Sequence, residues 1–206
     1  MSKLGALHLT KHTGVKHTAT VIFFHGSGSS GGDIMEWPYT PAGGQMSNVW
    51  FDRAYITPDV PEKLNSIASI ETEVKNLIRK ENEAGIPSNR IIVGGFSMGG
   101  TLSFHTGYRW DRNLAGVFVF SSFLNKNSIV YEDLKKSPGG NLPPLLQIHG
   151  NSDDLVYLEW GQATFDNIKE LGVSGEFHIM EKLGHSLNKR GMNLIKSFIE
   201  KHLPEQ

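Results

Sequence analysis

The stretch Arg90-Ile91-Ile92-Val93-Gly94-Gly95-Phe96-Ser97-Met98-Gly99-Gly100-Thr101-Leu102-Ser103-Phe104-His105 decides how the chain is read. Its opening, Arg90 to Val93, is an apolar run of buried-strand type. Its close, Thr101 to His105, can start a helix. Between them Gly95-Phe96-Ser97-Met98-Gly99 fits Gly-x-Ser-x-Gly, and strand, motif, helix is the setting of a nucleophile elbow. In such a turn the serine sits at the tip, its hydroxyl aimed out of the sheet. The positions two before and two after it must be small, because strand and helix almost touch, and both are glycine. A Gly-x-Ser-x-Gly alone is a common glycine-rich turn; the flanking elements carry the signal.

Outward from the elbow, strand-like and helix-like segments alternate. Leu7 to Thr10 and Thr18 to Phe24 read as strands joined by a turn at His12-Thr13-Gly14. A glycine-rich loop, Gly26 to Gly32, follows, and residues 33–61 are irregular. Residues 62–84 place Leu64, Ile67, Ile70, Val74, Leu77 and Ile78 on one helical face, closed by Gly85 and Pro87. Leu114 to Phe120 and Leu145 to His149 read as buried strands. Residues 157–171 read as a helix closed by Gly172, Glu176 to Met180 as a strand, and residues 190–202 as a last helix. Continuous apolar strands alternating with helices predict an α/β fold, a mostly parallel sheet with helices on both faces. Ligands of such sheets bind beyond the carboxyl ends of the strands, where Ser97, Asp153 and His185 fall.

Composition narrows the chemistry. The chain has 206 residues, a length that suits one domain over residues 1–206. Lysine and arginine (20) balance aspartate and glutamate (21), which argues against nucleic acid as the main partner. Cysteine is absent, so disulfides, a thiolate nucleophile and cysteine zinc sites are excluded. The amino terminus lacks the apolar core of a signal peptide, and runs such as Val117-Phe118-Val119-Phe120 are far too short to cross a bilayer. A soluble protein of a reducing, cytoplasmic compartment is expected, and its oligomeric state is left open.

A serine hydroxyl needs a base, and the base an orienting carboxylate. After the elbow come His149-Gly150-Asn151-Ser152-Asp153-Asp154-Leu155-Val156 and then Leu183-Gly184-His185-Ser186, the order serine, acid, histidine. Of the histidines beyond the acidic loop, His185 alone falls between elements; His178 lies in a strand and His202 in a helix. Spacing does not choose between Asp153 and Asp154 as the acid. For an oxyanion hole the N–H of Met98 is one donor, and the backbone of Ser27, in His25-Gly26-Ser27-Gly28, the other. The same loop lacks the Lys-Ser/Thr that a phosphate-binding loop carries. His25 and His149 stand at strand ends as wall or packing residues. Trp50 and Phe51, with His25, are candidates for the substrate pocket.

Together His25-Gly26-Ser27-Gly28, Trp50-Phe51-Asp52, the elbow, the His149 to Val156 segment and Gly184-His185 resemble the acyl-protein thioesterase and lysophospholipase-like branch of the α/β-hydrolases. The narrower signals Ser47 to Arg53 and Ser121 to Lys126 are similar to its lysophospholipase-like members. The likeness implies the α/β-hydrolase fold and, through the pattern His-Gly-x-x-Asp-x-Leu-Val, places the acid on Asp153. Many members have proline where this chain has Asp154. The branch also carries a helix and a buried strand between the first glycine-rich loop and Trp-Phe-Asp. Here only Asp33 to Met46 fill that interval, so one strand beside the 18–24 strand is missing by comparison. That strand is then expected to pair with the amino-terminal one or to stand as an exposed edge.

The activity so implied is a serine hydrolase of carboxylic esters or thioesters, acyl-protein thioesterase or lysophospholipase-like, acting on acyl substrates that include S-acylated proteins. It needs no metal or organic cofactor. The alternatives are a small-ester carboxylesterase and a binding or regulatory chain impaired by the shortened interval.

Overall fold

A computed structural model describes residues 16–29, 48–136 and 140–205. The strand at Leu7 to Thr10 and the shortened interval 33–46 lie outside the described residues. Five strands, β1 (Thr20–Phe24), β2 (Ile91–Phe96), β3 (Gly116–Phe120), β4 (Leu145–Gly150) and β5 (Gly175–Met180), form one sheet in that order. All four pairings are parallel, with Phe24 beside Gly95 and Phe96 beside Phe120.

The three central strands are buried at every position, whereas β1 and β5 are not. That is why the central strands read as unbroken apolar runs and β5 as weak alternation. Among the described residues β1 has a neighbour on one side only. Strand periodicity sorts side chains between two cores. Ile91, Val93, Val117 and Val119 enter one; Ile92, Phe96, Phe118 and Phe120 enter the other.

Helix α1 (Leu64–Glu83) buries Ile67, Ile70, Val74 and Ile78 on the first face, each worth roughly 1.5–3 kcal/mol. Leu64, assigned by spacing to the same stripe, is exposed because it is the first helical residue. Gly85, at φ +95°, closes the helix: its N–H donates to Asn82 O and that of Ile86 to Glu81 O. Helix α2 (Met98–His105) continues into a π-helical turn, Thr106–Trp110. Helices α3 (Ile129–Lys136) and α4 (Leu158–Glu170) cover the same face, and α5 (Lys189–His202) sends Ile195 into the second core. Sequence reading misses α3, since its short apolar set, Val130, Tyr131 and Leu134, is too brief to show periodicity. Among the described residues no helix is long and apolar enough to cross a membrane.

Candidate active site

Ser97 sits between β2 and α2 with φ 54° and ψ −122°, a backbone state that costs on the order of 1–3 kcal/mol and persists only where surroundings enforce it. The enforcement is close packing. A Cβ on Gly95 would run into the Gly99 backbone, and one on Gly99 into the Phe24 carbonyl oxygen. The Ser97 N–H donates to Phe120 O (2.9 Å), pinning the turn to β3. Its side chain is partly exposed while its neighbours Phe96 and Met98 are buried.

The acid and the histidine come from the ends of β4 and β5. Nδ1 of His185 lies 2.8 Å from Oδ2 of Asp153. The other carboxylate oxygen accepts from the N–H groups of Val156 (2.9 Å) and Leu155 (3.1 Å). Burial works against charge on Asp153, but the His185 contact and these two donors outweigh it and hold the carboxyl below its ordinary range. Asp154 is exposed. The two loops are stitched together: Ser152 N–H donates to Leu183 O (3.0 Å) and Lys182 N–H to Asn151 Oδ1 (2.7 Å). The His185 ring packs on Phe96, the residue before Ser97, with centroids 4.7 Å apart. Ser97 Oγ makes no hydrogen bond among the described residues.

The glycine-rich loop closes on the elbow from β1. A Cβ on Gly26 would lie 3.4 Å from Ser97 Cβ. Ser27 Oγ reaches Met98 Sδ (3.5 Å), so the two expected oxyanion residues touch. Gly28 takes φ +82°, a turn that L side chains resist. Met98 opens α2, where a backbone N–H has no partner within its own helix. His25 is partly exposed, its Nδ1–H donating to Gly26 O (2.7 Å), and Trp50 lies against it at 4.5 Å. Phe51 is only 5% exposed and packs edge-on to His105. It supports the site from within the core.

Three pairings escape sequence reading. His149 is fully buried; its Nε2–H donates to Val156 O (2.8 Å), and burial depresses its pKa. It braces the loop that carries Asp153. Beneath α2, Glu62 lies 3.3 Å from Nε2 of the buried His105, whose Nδ1 accepts from Arg109 (3.0 Å). Arg53 bonds Thr101 Oγ1 (3.1 Å) over the Phe123 ring. The Glu62–His105 and Arg53–Thr101 contacts join residues far apart in sequence, and the His149 bond closes the loop back on itself. Among the described residues no group of three histidine, aspartate or glutamate side chains could hold a metal ion. A cavity of about 300 Å³ lined by Lys126, Ser128, Tyr131, Asn167 and Leu171 includes none of the site residues.

Residues 34–203 match the model of a family described as Phospholipase/Carboxylesterase. Lysophospholipase-like protein 1 of Mus musculus is 44% identical over 213 positions that take in 92% of this chain and 89% of that protein. Those positions outnumber the residues of this chain that they take in, so the alignment opens gaps on this chain's side. Acyl-protein thioesterase 1 homolog 1 of Dictyostelium discoideum is 33% identical, with 92% of each chain covered. In fold, the chain is similar to the crystal structure of Zea mays acyl-protein thioesterase 2, with a TM-score of 0.78, 24% identity, and 95% and 98% of the two chains covered.

Proposed function

The chain belongs to the phospholipase/carboxylesterase family of α/β-hydrolases, and we propose that it is a serine hydrolase of carboxylic esters and thioesters working through Ser97, His185 and Asp153. The observation that carries this reading is the 2.8 Å contact from His185 to the buried Asp153, with the His185 ring packed on Phe96, the residue before a serine in an elbow conformation. In the proposed cycle His185 takes the Ser97 proton as Oγ attacks the acyl carbonyl. Asp153 holds Nδ1–H of the ring and stabilises the imidazolium. The N–H groups of Ser27 and Met98 hold the oxyanion, each worth roughly 2.7–4 kcal/mol in the transition state. His185 returns the proton to the departing alcohol or thiol. Water then releases the acyl group from Ser97 by the same route, and no cofactor takes part.

Trp50 and His25 form the proposed wall beside the acyl carbonyl, with Phe51 behind them. The substrate class that fits the relatives' names is the acyl ester or thioester, including S-acylated proteins, met in the cytoplasm. A fluorophosphonate probe tests the nucleophile: the wild type labels and Ser97→Ala does not. Labelling that persists in Ser97→Ala removes Ser97 as nucleophile. A folded wild type that never labels leaves a binding chain. Competition between p-nitrophenyl acetate and a palmitoyl thioester separates a thioesterase from a small-ester carboxylesterase.

A further inference from the structure

Segment 48–53 is bonded to both sides of the proposed oxyanion hole. Toward the glycine-rich loop, Gly28 N–H donates to Asn48 O (2.9 Å) and Trp50 Nε1–H donates to His25 O (2.8 Å). Toward the elbow helix, Arg53 Nη2 donates to Thr101 Oγ1 (3.1 Å), one turn beyond Ser97. Thr101 in turn donates to Phe123 O (3.0 Å), tying the helix to the chain after β3. The guanidinium lies 4.8 Å from the Phe123 ring centroid and 5.7 Å from that of Phe51. Its counter-charge is Glu62, fixed by the Ile129 N–H at 3.1 Å. Burial lowers the Arg53 pKa to about 10, with Glu62 opposing the shift, so the group stays charged at neutral pH.

We propose that Arg53 is a positioning residue that sets the spacing between the Ser27 and Met98 N–H groups by clamping segment 48–53 to the elbow helix. The inference rests on the hydrolase reading above. An oxyanion hole built from two separate segments works only if their relative position is fixed before reaction. Side chains join Ser27 directly to Met98 only by the weak hydroxyl–sulfur contact of 3.5 Å. The route Ser27, Gly28, Asn48, Trp50, Arg53, Thr101, Met98 supplies stronger bonds at each crossing. Arginine suits the task because its flat fork bonds a hydroxyl while lying on aromatic faces, which a lysine ammonium cannot do together.

The test compares an oxygen ester with its thionoester. A thiocarbonyl anion is a poor acceptor for backbone N–H groups, so the ratio of kcat/KM for the two substrates reports on the hole itself. Arg53→Met and Thr101→Val are each expected to lower kcat on the oxygen ester about tenfold with KM unchanged, and to shrink the ratio. Thr101→Ser, which keeps the acceptor, restores the ratio. The double variant loses less than the sum of the two single losses, because both singles remove the same Arg53–Thr101 contact. If Arg53→Met does not fold, Thr101→Val and Thr101→Ser carry the comparison. An unchanged ratio in folded variants, or additive losses in the double variant, overturns the clamp. A wild type that fluorophosphonate does not label overturns the hydrolase reading and the clamp with it; a labelled wild type with unchanged ratios overturns the clamp alone.

Discussion

Nδ1 of His185 and Oδ2 of Asp153 stand 2.8 Å apart although 32 residues separate them along the chain. The acid is buried and satisfied on both oxygens, while its neighbour Asp154 faces solvent. Asp153→Asn is therefore expected to lower turnover of p-nitrophenyl acetate by about 10⁴-fold, because the amide favours the wrong ring tautomer. Asp154→Asn, a surface change, shifts stability by no more than about 0.5 kcal/mol and leaves turnover near wild type. A more damaging Asp154→Asn would move the acid to that residue.

Gly150 ends β4 where the acid loop meets the histidine loop. A Cβ there would run into the Leu183 carbonyl oxygen, a backbone atom with no rotamer to escape through. Gly150→Ala is expected to cost about 1–3 kcal/mol and to reduce turnover further than the stability loss explains, by separating Asp153 from His185. Gly172→Ala is the control: its φ is +95° but the space around it is open. Backbone strain there costs about 1–2 kcal/mol with turnover intact. Melting temperatures and kcat measured side by side check both, and equal turnover in the two variants would refute the distinction.

His149 gives the fold an acid sensitivity. Burial, the largest influence, lowers its pKa below the ordinary 6.5. The unfolded chain then takes up a proton near 6.5 that the folded chain resists. Stability is complete above that value and falls as pH drops below it, by up to ~1.4 kcal/mol per pH unit for the one proton. Asp153 acts in a separate window. Its carboxyl is depressed, so its contribution is full above the ordinary 3.8 and is lost as pH falls through the lowered value. Thermal melts between pH 7 and 5 should show a shallower slope in His149→Gln, and an unchanged slope would exclude His149 as the source.

Glu62 is the buried anion beneath the elbow helix, its side chain only 4% exposed, facing His105 and held by the Ile129 N–H. Burial raises its pKa, yet His105, the Ser128 hydroxyl and Ile129 more than offset this and keep it charged. Glu62→Gln keeps the shape and removes the charge opposite Arg53. Losing one partner of a buried pair costs about 3–5 kcal/mol. Urea unfolding should show a loss toward the lower end of that range, and a loss under about 1 kcal/mol would mean the charge is not used.

Sequence alone determined the features that are local or periodic. The elbow is one contiguous run recognisable from its motif and flanking elements, and the buried strands announce themselves because both of their faces are covered. The order of serine, acid and histidine is likewise written along the chain. Tertiary structure decided what depends on distant neighbours. Asp153 and Asp154 are the same chemical group one residue apart, and only the loop around them makes one buried and bonded and the other solvated. Phe51 turned inward against His105, and Arg53 reached Thr101, because helices far along the chain stand there to receive them. Hydrophobic periodicity records which face of an element is covered but not which side chain from another element covers it, so those pairings exist only in the folded protein.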